Sequence, residues 1–353
     1  MAASGGGPLN GIGFGTWAWG NQLVWGYDPH RDDALLESTF RQAIASGLSL
    51  IDTADSYGTG RLNGCSERLL GRFTAALPAL RRSELCIATK LAPFPWRLGR
   101  RGLDRALQAS LERLQGQLKR VQLHWSTARY APWQETALLD GLADRVLDGT
   151  VAELGVSNVG PQRLLWMHER LAQRSVRLSS VQVQFSLLAP GDEDSQALLK
   201  LCREREIEVL AYSPLAFGVL SQPQGTGVIK GTALRRRIFQ RLLPASEELR
   251  QELNAIAEQR SVSMVQVALN WCRAKGTTPI PGLRSPQQAQ DVAAALVWAL
   301  DPDEVERLDR QRSRCQERMP ANPFQSRRRN QASAAFAGDG LTTTGRLLEG
   351  SSP

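Results

Sequence analysis

From residue 12 to residue 312, short apolar runs alternate with longer stretches of helical periodicity. The run 12–16, interleaved with glycine, predicts a first strand. A loop rich in tryptophan and glycine follows, then a helix over 32–46, with Gly47 at its left-handed terminus. Leu48-Ser49-Leu50-Ile51 predicts a buried strand ending at Asp52, and apolar spacing predicts a helix over 62–73. The alternation then repeats. Strands are expected at 85–90, 121–124, 153–157, 180–186, 208–213 and 278–281. Helices are expected near 103–114, 133–147, 161–172, 195–205, 246–260, 264–275 and 286–295, and a last one near 303–312. A long loop is expected after the strand 208–213. Eight strand-helix units close a (β/α)8 TIM barrel. An open doubly wound sheet would carry a glycine-rich phosphate turn after its first strand. Gly11-Ile12-Gly13-Phe14-Gly15 does not open a helix, so it does not supply that turn. The chain therefore reads as one domain over 11–312. Residues 1–10 and most of 313–353 are expected to be disordered. Met319-Pro320-Ala321-Asn322-Pro323-Phe324 is the part of the tail that could pack across the barrel mouth.

Three of the predicted strands end in a titratable residue: Asp52, Lys90 and His124. Tyr57 follows Asp52 by five residues, on the loop. Barrels of this kind assemble their sites at the C-terminal ends of the strands. A free tyrosine titrates near 10, so acting as a proton donor at neutral pH calls for tuning. A lysine beside the phenol would lower its pKa, and a buried aspartate would hold the lysine charged. His124 would add a donor or proton relay. Such a set can protonate a carbonyl oxygen while a hydride reaches the carbon, and the hydride must come from a nicotinamide cofactor. Taken singly, Asp52 could be a helix cap, Lys90 a solvated strand end and Tyr57 a packing residue. Their joint placement favours chemistry. Asp55, between Asp52 and Tyr57, reads only as a loop carboxylate.

Composition narrows the classes. The formal charge is +8, and only five of the 43 basic residues are lysines. A spread of arginines fits a solvated basic surface, or attraction of a polyanionic ligand such as a phosphorylated cofactor. It carries no nucleic-acid reader motif. The five cysteines are widely spaced, with no CxxC, so neither disulfides nor a metal site is expected. No apolar run reaches membrane-spanning length. The cysteine usage fits a reducing compartment, and a monomer is expected. The cytoplasm is expected.

The motifs resemble those of the aldo/keto reductases, NADPH-using (β/α)8 barrels with an Asp-Tyr-Lys-His catalytic tetrad. Asp-Thr-Ala-Asp-Ser-Tyr-Gly carries Asp52 and Tyr57, Ala-Thr-Lys carries Lys90, and Gln-Leu-His-Trp carries His124. The resemblance implies a nicotinamide carboxamide site at Ser157 and Asn158, completed by Gln182. It implies ring stacking by Tyr212. It places Ser213, Leu215 and Gly218 around the pyrophosphate, and Gly282, Arg284, Gln288 and Asp291 at the adenosine end. Arg284 would read the 2′-phosphate, which favours NADPH over NADH. Gly58-Thr59-Gly60-Arg61-Leu62-Asn63-Gly64, Pro95-Trp96-Arg97 and His124-Trp125-Ser126-Thr127 are similar to the family's pyridoxal-reducing subgroup from plants, algae and cyanobacteria. That implies an aldehyde substrate, pyridoxal, with Trp19, Trp25, Trp96 and Trp125 lining an aromatic pocket. A broad aldehyde reductase and a nucleotide-binding regulatory subunit are the alternatives. The chain departs from the family at Asp291-Val292, where Glu-Asn is usual, and at Leu220-Ser221-Gln222-Pro223, where Leu-Thr-Gly-Lys is usual.

Overall fold

A computed structural model describes residues 11–222 and 232–325 of the chain. The expected 1–10 and the tail beyond residue 325 lie outside the described residues. Eight strands run in parallel: β1 (Phe14–Gly15), β2 (Leu50–Asp52), β3 (Cys86–Leu91), β4 (Arg120–Leu123), β5 (Glu153–Ser157), β6 (Leu178–Gln184), β7 (Glu208–Tyr212) and β8 (Thr278–Ile280). Each pairs with its sequence neighbour, in the order β1 to β8. This sequential order excludes the doubly wound alternative, whose strand order reverses at a switch point.

The seam between β8 and β1 is half-bonded for a covalent reason. Gly13 and Gly15 donate their N–H groups to Pro279 and Pro281 carbonyls at 3.0 and 2.9 Å. A full parallel bridge at Gly13 would need an N–H back from Pro281, and proline has none. A regular bridge returns one step later, at Gly15 and Gly282. The first strand is accordingly only two residues long, shorter than the expected 12–16.

Helices cover the outside. Proline opens five of them, including Pro29–Ala45, Pro132–Leu147 and Pro161–Ala172, where a missing N–H costs nothing. Asp301 and Glu304 form a capping box on Pro302–Arg314. The expected long loop after β7 holds a tight turn, Ala216–Ser221, and an additional helix, Ala233–Ala245. Phe239 and Leu242 of that helix are buried in the main apolar layer between strands and helices. Residues 223–231 lie outside the described residues. At the N-terminal end of the barrel, Arg120 bridges Glu153 of β5 and Glu208 of β7 at 2.6 and 2.8 Å, closing the floor with charge.

The helix Cys65–Ala75 carries Gly71 against the end of the helix Gly99–Arg113. A Cβ on Gly71 would stand 2.1 Å from the Arg113 carbonyl oxygen, so the two backbones depend on glycine to approach. Gly71→Ala is expected to lower stability by about 1–3 kcal/mol through this overpacking. A urea midpoint equal to wild type would contradict that.

Candidate active site

The three strand-end residues and Tyr57 converge. Lys90 Nζ lies 2.6 Å from Asp52 Oδ2, with both side chains almost fully buried. The same ammonium donates to the Thr53 carbonyl at 2.7 Å. Asp52 Oδ1 accepts from Gln182 Nε2 at 2.7 Å and from Gln122 Nε2 at 3.3 Å. Both carboxylate oxygens are thus occupied, as a buried charge requires. The strand ends are themselves pinned. Thr16 Oγ1 donates to the Asp52 carbonyl at 3.0 Å, and Ser66 Oγ reaches Thr16 Oγ1 at 2.6 Å. Thr53 and Ser66 hydroxyls share a hydrogen bond at 2.9 Å.

Tyr57 lies over this pair. Lys90 Nζ stands 4.9 Å from the centre of the Tyr57 ring, and the His124 ring meets it edge-on at 6.0 Å. No group among the described residues takes up the Tyr57 hydroxyl. The following Gly58 has φ +116 and no room for a Cβ, which would fall 1.9 Å from the Leu62 carbonyl oxygen. Glycine there sets the turn that presents the phenol.

The electrostatics depart from the simple tuning argument. Burial pushes the Tyr57 phenol well above its ordinary value, and the Asp52 and Asp55 charges push the same way. Lys90 therefore does not bring the phenol down in the free protein. Burial also lowers the Lys90 ammonium, against the opposing pull of Asp52. Burial pulls His124 well below its ordinary value, and the positive charges of Lys90 and Arg97 add to that. Near neutral pH the site holds a protonated phenol beside a neutral imidazole.

Asp55 has a role the sequence did not disclose. It is buried and forms an ion pair with Arg97, which also donates to the Ala92 carbonyl at 2.7 Å. Burial raises the Asp55 carboxyl, and Arg97 opposes it. The pair fastens the loop bearing Trp96 onto the loop bearing Tyr57. The one available signal was an acid placed inside a buried run, Asp52 to Asp55.

The residues compared with a nicotinamide site also gather. Asn158, left-handed at φ 59, donates to the His124 carbonyl at 3.0 Å and to Ser157 Oγ at 3.0 Å. Its Oδ1 accepts from the Tyr212 hydroxyl at 2.8 Å, which pins that ring. Gln182 is tied to Asp52 as described. Ser213 and Gly218 are left-handed, at φ 52 and 97, and half-buried Leu215 precedes the turn Ala216–Ser221. Gly282 sits on the barrel seam, and the Arg284 N–H donates to Gln288 Oε1 at 2.8 Å. Asp291 is half-buried and engaged within the protein. Its Oδ1 accepts from Ser263 and Gln266 at 2.7 and 2.8 Å, so it serves the packing of two helices.

The four tryptophans separate. Trp125 fits the expectation, since its ring lies 5.0 Å from His124 at the barrel mouth. Trp96 is 70% exposed and stacks on Phe94 at 4.6 Å. Trp19 is fully buried, donating to the Leu283 carbonyl at 2.9 Å and packing on Phe73, so it cannot line a pocket. Trp25 lies at the far end, against Arg284, and not at the mouth. The loop direction that separates them depends on tertiary contacts, which local sequence does not show.

The segment after the last helix does cross the mouth. The Met319 N–H donates to the Leu188 carbonyl at 2.9 Å. Asn322 Nδ2 donates to the Tyr212 hydroxyl at 2.8 Å, and Phe324 stacks on Trp125 at 4.4 Å.

Among the described residues there is no cluster of side chains that could hold a metal ion, and no helix long and apolar enough to cross a membrane. A parallel barrel with this tetrad at its C-terminal end defines an oxidoreductase site. The chain belongs to the aldo/keto reductase family, whose profile matches residues 11–312. It is 47% identical to a chloroplastic pyridoxal reductase of Arabidopsis thaliana, over 91% of this chain and 88% of that one. It is 33% identical to an uncharacterized oxidoreductase of Mycobacterium tuberculosis, over 82% of this chain and 85% of the other. An aldo-keto reductase of Klebsiella pneumoniae in complex with NADPH superposes with a TM-score of 0.66 at 26% identity, covering 89% of this chain and 95% of that one. A glycerol dehydrogenase of Gluconobacter oxydans does so at 0.69 and 26%, covering 90% and 95%.

A raised phenol pKa extends the acid-competent form upward in pH, and a depressed imidazole pKa keeps His124 neutral down past its ordinary range. Turnover in the reduction direction is therefore expected to stay flat between about pH 6.5 and 9, the span left between ordinary histidine and tyrosine titration. A break inside that window would contradict the assignment.

Proposed function

We propose that the protein is an NADPH-dependent carbonyl reductase, with Tyr57 as general acid and pyridoxal as its aldehyde substrate, giving pyridoxine. The observation that carries the reaction class is the unpartnered Tyr57 hydroxyl beside the buried Lys90–Asp52 pair and a neutral His124. The bound cofactor would supply the hydride. The chain's own residues bind and orient. Ser157, Asn158 and Gln182 take the carboxamide, and Tyr212 backs the nicotinamide ring. Ser213, Leu215 and Gly218 hold the pyrophosphate, and Gly282, Arg284 and Gln288 hold the adenosine end. The fit to a polyanionic cofactor is supported by Arg284, which has no carboxylate partner among the described residues.

The substrate follows from the mouth. Phe94, Trp125 and Phe324 form an aromatic wall beside His124. Flat faces of this kind suit a heteroaromatic aldehyde. The Arabidopsis relative, a chloroplastic pyridoxal reductase, supports the same substrate and a plastid location. The protein acts as a monomer on a small molecule, without nucleic acid.

Steady-state reduction with NADPH should give pyridoxal a kcat/KM about tenfold or more above benzaldehyde and aliphatic aldehydes, because a pocket with polar and stacking groups discriminates by at least that factor. Equal values across the panel would leave a broad aldehyde reductase in its place.

A further inference from the structure

Outside the pocket, the rim of the barrel mouth carries large apolar side chains in the open. Trp96, Leu98 and Trp133 are 70, 64 and 73% exposed, and Tyr130 and Phe324 are exposed beside them. A single exposed apolar group is ordinary, but a contiguous set marks a contact surface. This set is contiguous. Trp96 stacks on Phe94, which meets Trp125 edge-on at 5.7 Å. Phe324 stacks on Trp125 in turn, and Trp125 Nε1 donates to the Tyr130 hydroxyl at 2.9 Å. The Gly99 N–H donates to Gln134 Oε1 at 2.6 Å, which brings Trp133 beside Leu98.

The free charge around the set has one sign. Leu98, Arg101 and Arg105 share a face at the start of the helix Gly99–Arg113, at helical spacing. Arg101 and Arg105 are exposed, and so is Arg129, whose Nη1 donates to the Pro323 carbonyl at 3.2 Å. None of the three has a carboxylate partner among the described residues. The acids close by are taken by other arginines: Asp104 by Arg145 at 3.5 Å, Glu135 by Arg163 at 3.1 Å and Asp140 by Arg170 at 2.7 Å. Beyond Phe324 and Gln325 the sequence continues as Ser326-Arg327-Arg328-Arg329.

Charge and placement select the occupant. A second copy docked face to face would set these arginines against their own images, with no free acid to answer them. The apolar groups are also dispersed. Trp96 and Leu98 precede one helix, Trp133 lies in the first turn of the next, and Phe324 belongs to the strap. They project separately and do not enclose a pocket for one partner side chain. The Trp96 and Trp133 indole N–H groups have no acceptor among the described residues. Rings with an apolar body and a polar edge, interleaved with arginines, match the boundary between lipid headgroups and acyl chains.

We propose that the rim formed by Trp96, Leu98, Tyr130, Trp133 and Phe324 seats the protein peripherally on an anionic lipid surface, with Arg101, Arg105 and Arg129 meeting the headgroups. Peripheral seating differs from a span, which no described helix is long and apolar enough to provide. It turns the barrel mouth toward the lipid. It also gives Trp96 an outward role in place of the pocket role expected from the sequence.

The test is co-sedimentation of the full chain with vesicles of phosphatidylcholine alone and of phosphatidylcholine mixed equally with phosphatidylglycerol. Wild type should bind the mixed vesicles about tenfold or more tightly than the neutral ones, and added salt should weaken that binding. Leu98→Ser combined with Trp133→Ser should weaken it by about tenfold through lost apolar contact. Arg101→Gln combined with Arg105→Gln should weaken it by a similar factor of about ten through lost charge, and decides the case if the first variant does not fold. No sedimentation with the mixed vesicles overturns the proposal, and so does equal binding to both kinds. Binding that survives either pair of changes in a folded variant overturns it too. A doubled mass without vesicles that the Leu98 and Trp133 changes abolish would assign the face to a second copy instead.

Discussion

The site depends on one buried ion pair. Asp52 and Lys90 sit at the ends of neighbouring strands, 2.6 Å apart and almost fully buried. A pair this deep contributes little net stability, since desolvation offsets the attraction, but losing one partner would strand the other charge. The surrounding structure removes that risk. Gln122, Gln182 and the Thr53 carbonyl add hydrogen bonds to both members of the pair. These groups come from β4, β6 and the loop after β2, so barrel closure and site geometry are one constraint. Tyr57 then rests over a fixed cation, on a turn that only glycine can follow.

Two differently lined regions lie beside this centre. Toward the mouth, Trp125, Phe94 and the strap 319–324 narrow the approach to His124 with aromatic faces. The strap also touches Tyr212, through Asn322. In the other region, Trp25 packs edge-on against Trp17, and the guanidinium groups of Arg235 and Arg284 lie over its ring. An apolar wall at one end and unpaired cations at the other match a molecule that is aromatic where it reacts and anionic where it is held.

The barrel and its tetrad were legible in the sequence because the signal was local. Each buried strand of a parallel barrel reads as an apolar run, and Asp52, Lys90 and His124 come at the ends of three such runs. Less was legible where partners are distant. Arg97 is 42 residues from Asp55, and no pattern in either loop announces their pairing. Trp19 and Trp25 are six positions apart in one loop, yet one is core and the other borders the far cleft. The helix Ala233–Ala245 is hidden in the sequence because arginines and an internal Pro244 obscure its apolar face; Thr232 at its N-cap is the available signal. Asp291 shows the opposite failure, a family position whose carboxylate two helices have taken over.

The central claim is that the Asp52–Lys90 pair holds Tyr57 as the proton donor and does nothing else through that hydroxyl. Tyr57→Phe keeps the ring over Lys90 and removes only the O–H. Its single-turnover rate of pyridoxal reduction should fall by about 10²–10⁴, the usual contribution of a positioned acid, while the dissociation constant for NADPH stays near wild type. A variant that still reduces the aldehyde at the wild-type rate would contradict the account.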